Sequence, residues 1–320
     1  MPGAYTHITH VRLLTAGIEL KKIKLPKDAR TALLEYPEFC RMGSISPDYP
    51  YFNLVGGSGD AEHLANAMHH KYGTLTQQNI LHVGVEYLRG LTGDDKNKGV
   101  SWFLGYASHI VADVTCHPVT NLLVGDYEAD NQKAHRASEL HQDVYVYSTR
   151  LGGDVSKSEE IQNVIGTCTN PEDGKKIDSS VEKIWRHLLS ESFPEIVRKF
   201  AVDINGWHRA AQVFLEDVAE ELAAIPSRHV RKFVGDMGIA YPLFHELDKA
   251  KYIDTLMTPK GMRSYDQIFD RTQGNIKKVW RLLSDGIFNA DDSYKDKIGL
   301  WNLDTGQKVT TEKVMWERFV

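Results

Sequence analysis

The sequence predicts an all-α protein, a multi-helix bundle that ends in an irregular tail with a possible β-hairpin. Three observations carry this. Apolar residues recur at spacings of three and four through most of the chain. Polar and Gly- or Pro-containing stretches fall between those segments and punctuate them. Only the last thirty residues, "DDSYKDKIGLWNLDTGQKVTTEKVMWERFV", break the helical period.

The elements follow in order. "DAEHLANAMHHKYGTLTQQNILHVGVEYLRGL" has the helical repeat, and "DDKNKG" after it reads as a polar turn with a terminating glycine. "VSWFLGYASHIVADVTCH" is the most apolar helix candidate, expected to stop at Pro118. "DNQKAHRASELHQDVYVYSTRL" is an amphipathic helix. Residues 151–178 mix Gly, Ser, Asn, Pro and charge, and read as a connecting excursion. Helices resume with "SSVEKIWRHLLSES", "PEIVRKFAVDINGWHRAAQVFLEDVAEELAAI" and "SYDQIFDRTQGNIKKVWRLLSDGIF". In the tail, "WNL-DTG-QKVTT" resembles a short hairpin around an Asp-Thr-Gly turn. With no clear repeat or low-complexity run, the expected organisation is one helical domain over 1–290 and a tail over 291–320.

Composition narrows the function. The chain has 320 residues, 42% hydrophobic and 25% charged, as in soluble globular proteins. A formal charge of −5 gives no electrostatic reason to expect a stable nucleic-acid complex. Cys40, Cys116 and Cys168 form no CxxC and no disulfide framework, which favours a reducing compartment. The first residues lack a signal-peptide pattern, and no run approaches the ~20 apolar residues of a membrane span. A cytoplasmic protein is expected.

The chemistry-bearing residues cluster early: ten of the fourteen histidines precede residue 142. His109, Asp113 and His117 are four apart within an apolar helix, so their side chains share one face. A carboxylate between two imidazoles can bridge two cations, one per oxygen. His135, Glu139 and Asp143 repeat the spacing on the next helix. Imidazole with carboxylate is a donor mix suited to zinc. A lone buried histidine is usually a satisfied core residue, and a lone His-x3-Glu is often a solvated pair. Two ladders close in sequence, inside apolar helices where unpaired charge is costly, favour metal. Further donors lie upstream: His7 and His10 in "MPGAYTHITH", Asp48 in "GSISPDYPYF", and His63, His69 and His70 in "AEHLANAMHH". Asp48 also suits a plain turn, since Pro-Asp-Tyr-Pro is good turn chemistry.

In order, "MPGAYTHI", "GSISPDYPYF", "LANAMHH", "GYASHIVADVTCHP" and "HRASELHQD" resemble the zinc-dependent phospholipase C family, whose helical fold is shared with the S1/P1 nucleases. The resemblance covers roughly residues 1–147. It implies zinc, two to three ions, in a cleft at one end of the bundle. It further implies that Asp48, His69, His109 and Asp113 hold one ion, that Asp113 bridges to a second held with His7, and that His117, His135 and Glu139 hold a third. His63 stands as a rival to His69, and His10 to His7. The chain departs from secreted members in lacking their early tryptophan, in carrying Leu64 where relatives often carry Trp, and in leaving only three residues between Asp113 and His117.

The implied activity is hydrolysis of a phosphodiester, from a phospholipid head group or a nucleotide. Zinc lowers the pKa of bound water to ~7, and a pair of ions ~3.5–4 Å apart can hold hydroxide in line with the leaving oxygen. The expected nucleophile is water activated beside Asp48 and Asp113, the two residues assigned catalytic roles, with Asp48 orienting it or taking its proton. Asp143 is a candidate to orient a ligand histidine. Tyr49, Tyr51 and Phe52 either wall the cleft or simply pack. Trp102 and Phe103 are expected in the core, and His187, His229 and His245 lack partners at metal spacing. Two other functions fit the same ladder: an S1/P1-type single-strand nuclease, and a non-catalytic, metal-stabilised interaction module. A protein partner for the C-terminal half is a further expectation.

Overall fold

The computed structural model describes residues 2–55, 59–69, 78–126, 130–213, 241–309 and 316. Helices dominate it, and one of them organises the rest. That helix, α7 (Gly93–Val124), follows α1 (Ala4–Thr15), α2 (Gly17–Lys22), α3 (Lys27–Glu35), α4 (Pro37–Ile45), α5 (Asp60–Met68) and α6 (Ile80–Arg89). It is buried at every position from Gly99 to Thr120, as expected of a helix with no polar face. Trp102 and Phe103 are fully buried within it.

Two glycines let α4 lie directly on α7. A Cβ at Gly43 would overlap the Trp102 carbonyl, and a Cβ at Gly105 would overlap that of Cys40. Without side chains at those points the two backbones touch. The contact brings the main chain of Ser44 alongside the second half of α7. On another side, Trp280 donates its indole N–H to Leu104 O and Ser108 Oγ, both at 2.8 Å. Helix α12 (Tyr265–Asn289) opens with a capping box between Ser264 and Gln267.

Helix α7 is longer than its sequence suggests at both ends. "DDKNKG" is helical rather than a turn, because Gly93 takes φ +62 and starts the helix one residue before Asp94. Asp94 and Asp95 then complement the helix N-terminus. Pro118 does not stop the helix, which runs on to Val124 and ends at Gly125 with φ +87. The C-terminal tail covers the turn that Pro118 disturbs. Gly306, at φ +65, sits so close to the Pro118 ring and the Val114 carbonyl that no Cβ would fit. Trp316 donates Nε1–H to Thr115 O at 2.9 Å.

Beyond α8 (Gln132–Leu151), the connecting stretch 151–178 holds helix α9 (Glu160–Thr167). Its apolar residues Ile161, Val164 and Ile165 reach the core despite the polar composition around them. Helix α10 (Ser179–Ser192) matches its expected segment, capped by Asp178. The long helix expected from residue 194 is interrupted: α11 (Pro194–Lys199) ends, residues 201–203 are non-helical, and helix resumes over 204–213. Strands β1 (Leu256–Thr258) and β2 (Gly261–Arg263) form an antiparallel pair that the sequence reading did not anticipate. After α13 (Ser293–Lys297), the anticipated tail hairpin shows, among the described residues, an antiparallel bridge from Trp301 to Lys308, with hydrogen bonds from Asn302 N–H to Gln307 O and from Val309 N–H to Leu300 O. Among the described residues, no helix is long and apolar enough to cross a membrane.

Candidate metal centre

The side chains expected to bind metal arrive from five elements: α1, the 3₁₀ segment after α4, the end of α5, α7 and α8. His109, Asp113 and His117 lie on one face of α7, as their spacing requires. His7 comes from α1. Its placement depends on Asp143 of α8, which reaches the start of α1 and accepts the backbone N–H groups of Tyr5 (3.1 Å) and Thr6 (2.8 Å). Gly3 has no capping side chain, so the N-cap acceptor is supplied from another helix. Asp143 also accepts the Tyr241 hydroxyl at 3.0 Å. Its role is thus to fix the first turn of the helix that carries His7. Burial pushes its carboxyl up to about 6, against the pull of those hydrogen bonds.

Asp48 lies in a 3₁₀ segment (Ser46–Val55) that is anchored by its neighbour Tyr49. The Thr169 hydroxyl donates to Ile165 O (2.8 Å), so it accepts from His208 Nε2–H (2.9 Å). His208 Nδ1 then accepts the Tyr49 hydroxyl at 3.0 Å. Tyr49 and His208 are fully buried, so Tyr49 packs and does not wall the cleft. Tyr51 does face it, and the Phe52 side chain falls outside the description.

These groups converge. Asp113 Oδ1 is 3.3 Å from His7 Nε2, and its Oδ2 is 3.3 Å from His109 Nε2 and 3.7 Å from His69 Nε2. Asp48 Oδ1 is 3.2 Å from His69 Nε2 and 3.8 Å from His109 Nε2. His7 stacks on His109 with centroids 4.1 Å apart. Two sets have ligand atoms all within 4.8 Å of one another: His7, His109 and Asp113, and Asp48, His69 and His109. Asp113 is fully buried, whereas Asp48 keeps 22% of its side chain open to the cleft.

The hydrogen bonding shows why these contacts suit a cation. His109 donates Nδ1–H to Ser44 O at 2.9 Å, and His69 donates Nδ1–H to Ala65 O at 2.8 Å. A neutral imidazole has one N–H, so both rings turn Nε2 lone pairs toward carboxylate oxygens. Those Nε2 atoms, both Asp113 oxygens, Asp48 Oδ1, both His7 nitrogens and His117 Nε2 are buried without a hydrogen-bond partner. So many orphaned buried polar atoms in one place are costly unless an ion satisfies them. The residues present therefore fit zinc.

Without an ion, the carboxylates draw a proton into the centre. Burial alone would push the His109 imidazolium down, but the Asp113 and Asp48 charges outweigh it and raise it to about 9. Burial opposes ionisation of Asp113, yet His109 and His117 hold it well below the carboxylate range. Asp48 is lowered in the same way by His109 and His69. His7 is lowered by burial and by the neighbouring His109, and burial lowers His117 further.

The remaining expectations are placed as follows. His63 stacks on Phe200 with centroids 4.0 Å apart, and His10 stacks on Phe269 at 3.9 Å. It is His69 and His7 that face the carboxylates. His117 Nε2 lies 4.0 Å from Asp113 Oδ2. His135 donates Nε2–H to Gly125 O at 2.7 Å, leaving Nδ1 as its ligand atom. Glu139 pairs with Arg136 at 3.2 Å. Among the described residues, His117, His135 and Glu139 do not form a set within the 4.8 Å that the other two satisfy. His187 stacks on Tyr87, while His70 and His229 lie outside the described residues.

In front of the centre is a cleft of about 200 Å³, lined by Pro2, Asp48, Tyr51, Arg136 and Glu139 among others. Arg136 is half-exposed there. The sequence reading missed it, although its place one turn before Glu139 was a usable signal. It missed Asp304 as well, which stands 3.9 Å from His117 Nδ1 in a tail with no motif to mark it.

Fold and site together define a helical protein with a buried candidate His/Asp metal centre opening on a cleft. The zinc dependent phospholipase C family model matches residues 6–195, and the chain belongs to that family. Comparison with curated proteins and with solved structures gives no match.

Proposed function

We propose that the protein is a zinc-dependent phosphoric ester hydrolase that cleaves the phosphodiester of a phospholipid head group. One observation carries the reading. Buried imidazole and carboxylate groups, orphaned toward one another, stand behind a cleft whose wall holds an arginine. Zinc bound there supplies water that ionises near neutral pH and charge that offsets the phosphoryl oxygens. The chain's own residues do the rest. His7, Asp48, His69, His109 and Asp113 hold the metal, with His117, His135 and Glu139 beside them. Asp113 turns Oδ1 toward His7 and Oδ2 toward His109 and His69. Asp48, part open to the cleft, orients the attacking water and takes its proton. Arg136 meets a phosphate oxygen, leaving its pair with Glu139 as substrate enters. Tyr51 walls the head-group side.

Three free, buried cysteines support a reducing compartment, and the reading puts the protein in the cytoplasm. The test is hydrolysis of phospholipid vesicles, bis-nitrophenyl phosphate and single-stranded DNA by purified protein, with and without chelator. Chelator-sensitive cleavage of phospholipid and of the model diester is expected. Cleavage of DNA alone would replace the reading with a nuclease, and bound zinc without turnover on any substrate would replace it with an interaction module.

A further inference from the structure

Three histidines of the centre each give one ring N–H to a backbone carbonyl. His69 and His109 give Nδ1–H, and His135 gives Nε2–H. In the rings of His69 and His109 Nε2 is left for an ion. Beside Nδ1 of His117 stands a carboxylate instead, Asp304 Oδ1, at 3.9 Å. His117 thus lies between two anions, with Nε2 4.0 Å from Asp113 Oδ2. Whichever nitrogen carries the proton, the other turns a lone pair toward an anionic oxygen, an arrangement that a cation on one side relieves.

Asp304 belongs to the C-terminal tail, outside the stretch 6–195 that matches the family model. Its turn is nevertheless built into the centre. Asn302 accepts Thr305 N–H on its side chain (3.1 Å) and Gly306 N–H on its carbonyl (2.9 Å). Asn121 of α7 donates to Asp304 O at 3.0 Å, and Leu303 N–H donates to the carbonyl of His69 at 3.0 Å. Gly306 closes the turn against Pro118, the residue after His117. The tail is therefore docked on the main chain of His69 and against Pro118, with one carboxylate beside the ring of His117.

We infer that Asp304 is a positioning residue of the metal centre: its carboxylate takes the Nδ1–H of His117 and aims Nε2 at the ion that His117 holds. This rests on the reading of His117 as a zinc ligand. A side-chain rotation, or one bridging water, closes the 3.9 Å separation to hydrogen-bond contact. An anionic acceptor on one nitrogen makes the other a better donor to metal than a carbonyl acceptor would.

The test is zinc affinity of the full chain by competition with a fluorescent chelator, with the zinc count at saturation taken by mass spectrometry. Asp304→Ala is expected to weaken one ion about 10–100-fold, the range for losing a ligand's orienting partner, with the saturated count unchanged. Asp304→Asn keeps an accepting oxygen and is expected to recover most of that loss. Thermal unfolding of the metal-free variants should match the parent. Wild-type affinity in Asp304→Ala overturns the inference. So does an affinity loss that tracks lost metal-free stability and is not relieved in Asp304→Asn, which would make Asp304 a packing residue. One ion missing from saturated Asp304→Asn overturns it in favour of direct ligation. Parent protein that binds no zinc removes the metal reading itself, a result distinct from any of these.

Discussion

Replacing Asp113 with Asn tests the heart of the centre at nearly constant shape. The side chain is fully buried, with Oδ1 3.3 Å from His7 and Oδ2 3.3, 3.7 and 4.0 Å from His109, His69 and His117. The amide removes the charge and puts an N–H₂ donor where one acceptor oxygen stood. Taking one partner from a buried ionic arrangement costs about 3–5 kcal/mol. At about 1.4 kcal/mol per tenfold, zinc affinity should fall by about two to four orders of magnitude. Chelator competition reads this directly, and turnover of bis-nitrophenyl phosphate at saturating zinc should fall with it. A second readout needs no metal. The His109 imidazolium owes its rise to about 9 to Asp113 and Asp48, working against burial. In metal-free Asp113→Asn, NMR titration of that ring should find a lower pKa than in the parent. A variant with parental zinc affinity, parental turnover and an unmoved His109 would refute the reasoning.

Other outcomes follow from the same geometry. His69→Ala should lower zinc content, whereas His63→Ala, which removes only a stack on Phe200, should leave it unchanged by mass spectrometry. Gly105→Ala forces a methyl into the Cys40 carbonyl, so urea unfolding should show a loss of about 3 kcal/mol or more. Asp143 has a folded pKa of about 6 against an ordinary 3.8, so the folded state binds its proton more tightly than the unfolded chain. Its contribution is therefore greatest below pH ~4 and falls as pH rises to ~6, by about 3 kcal/mol in all. Urea titrations of metal-free protein should show that fall in the parent and lack it in Asp143→Asn.

Some of this was legible in the sequence, for physical reasons. Two imidazoles and a carboxylate inside "WFLGYASHIVADV" are costly in a core unless something satisfies them, and a four-residue spacing puts them on one face. His7, Asp48 and His69 carry no such local signal and came from the ordered motifs of the family resemblance. Spacing misled at Asp143, which continues the ladder of His135 and Glu139 yet turns to cap α1. Pro118 read as a stop because a proline removes one helical hydrogen bond, but the tail packs over that turn and the helix continues. Asp304 was invisible for the opposite reason: its partner lies 187 residues earlier in the chain, and only the docking of the tail brings the two together.

The claim that these side chains gather around zinc is tested most directly by anomalous scattering at the zinc edge from zinc-soaked crystals of the whole chain. Peaks are predicted among Asp48, His69 and His109 and between His7 and Asp113. Density with no anomalous signal there, or zinc found only on surface histidines such as His245, would contradict it.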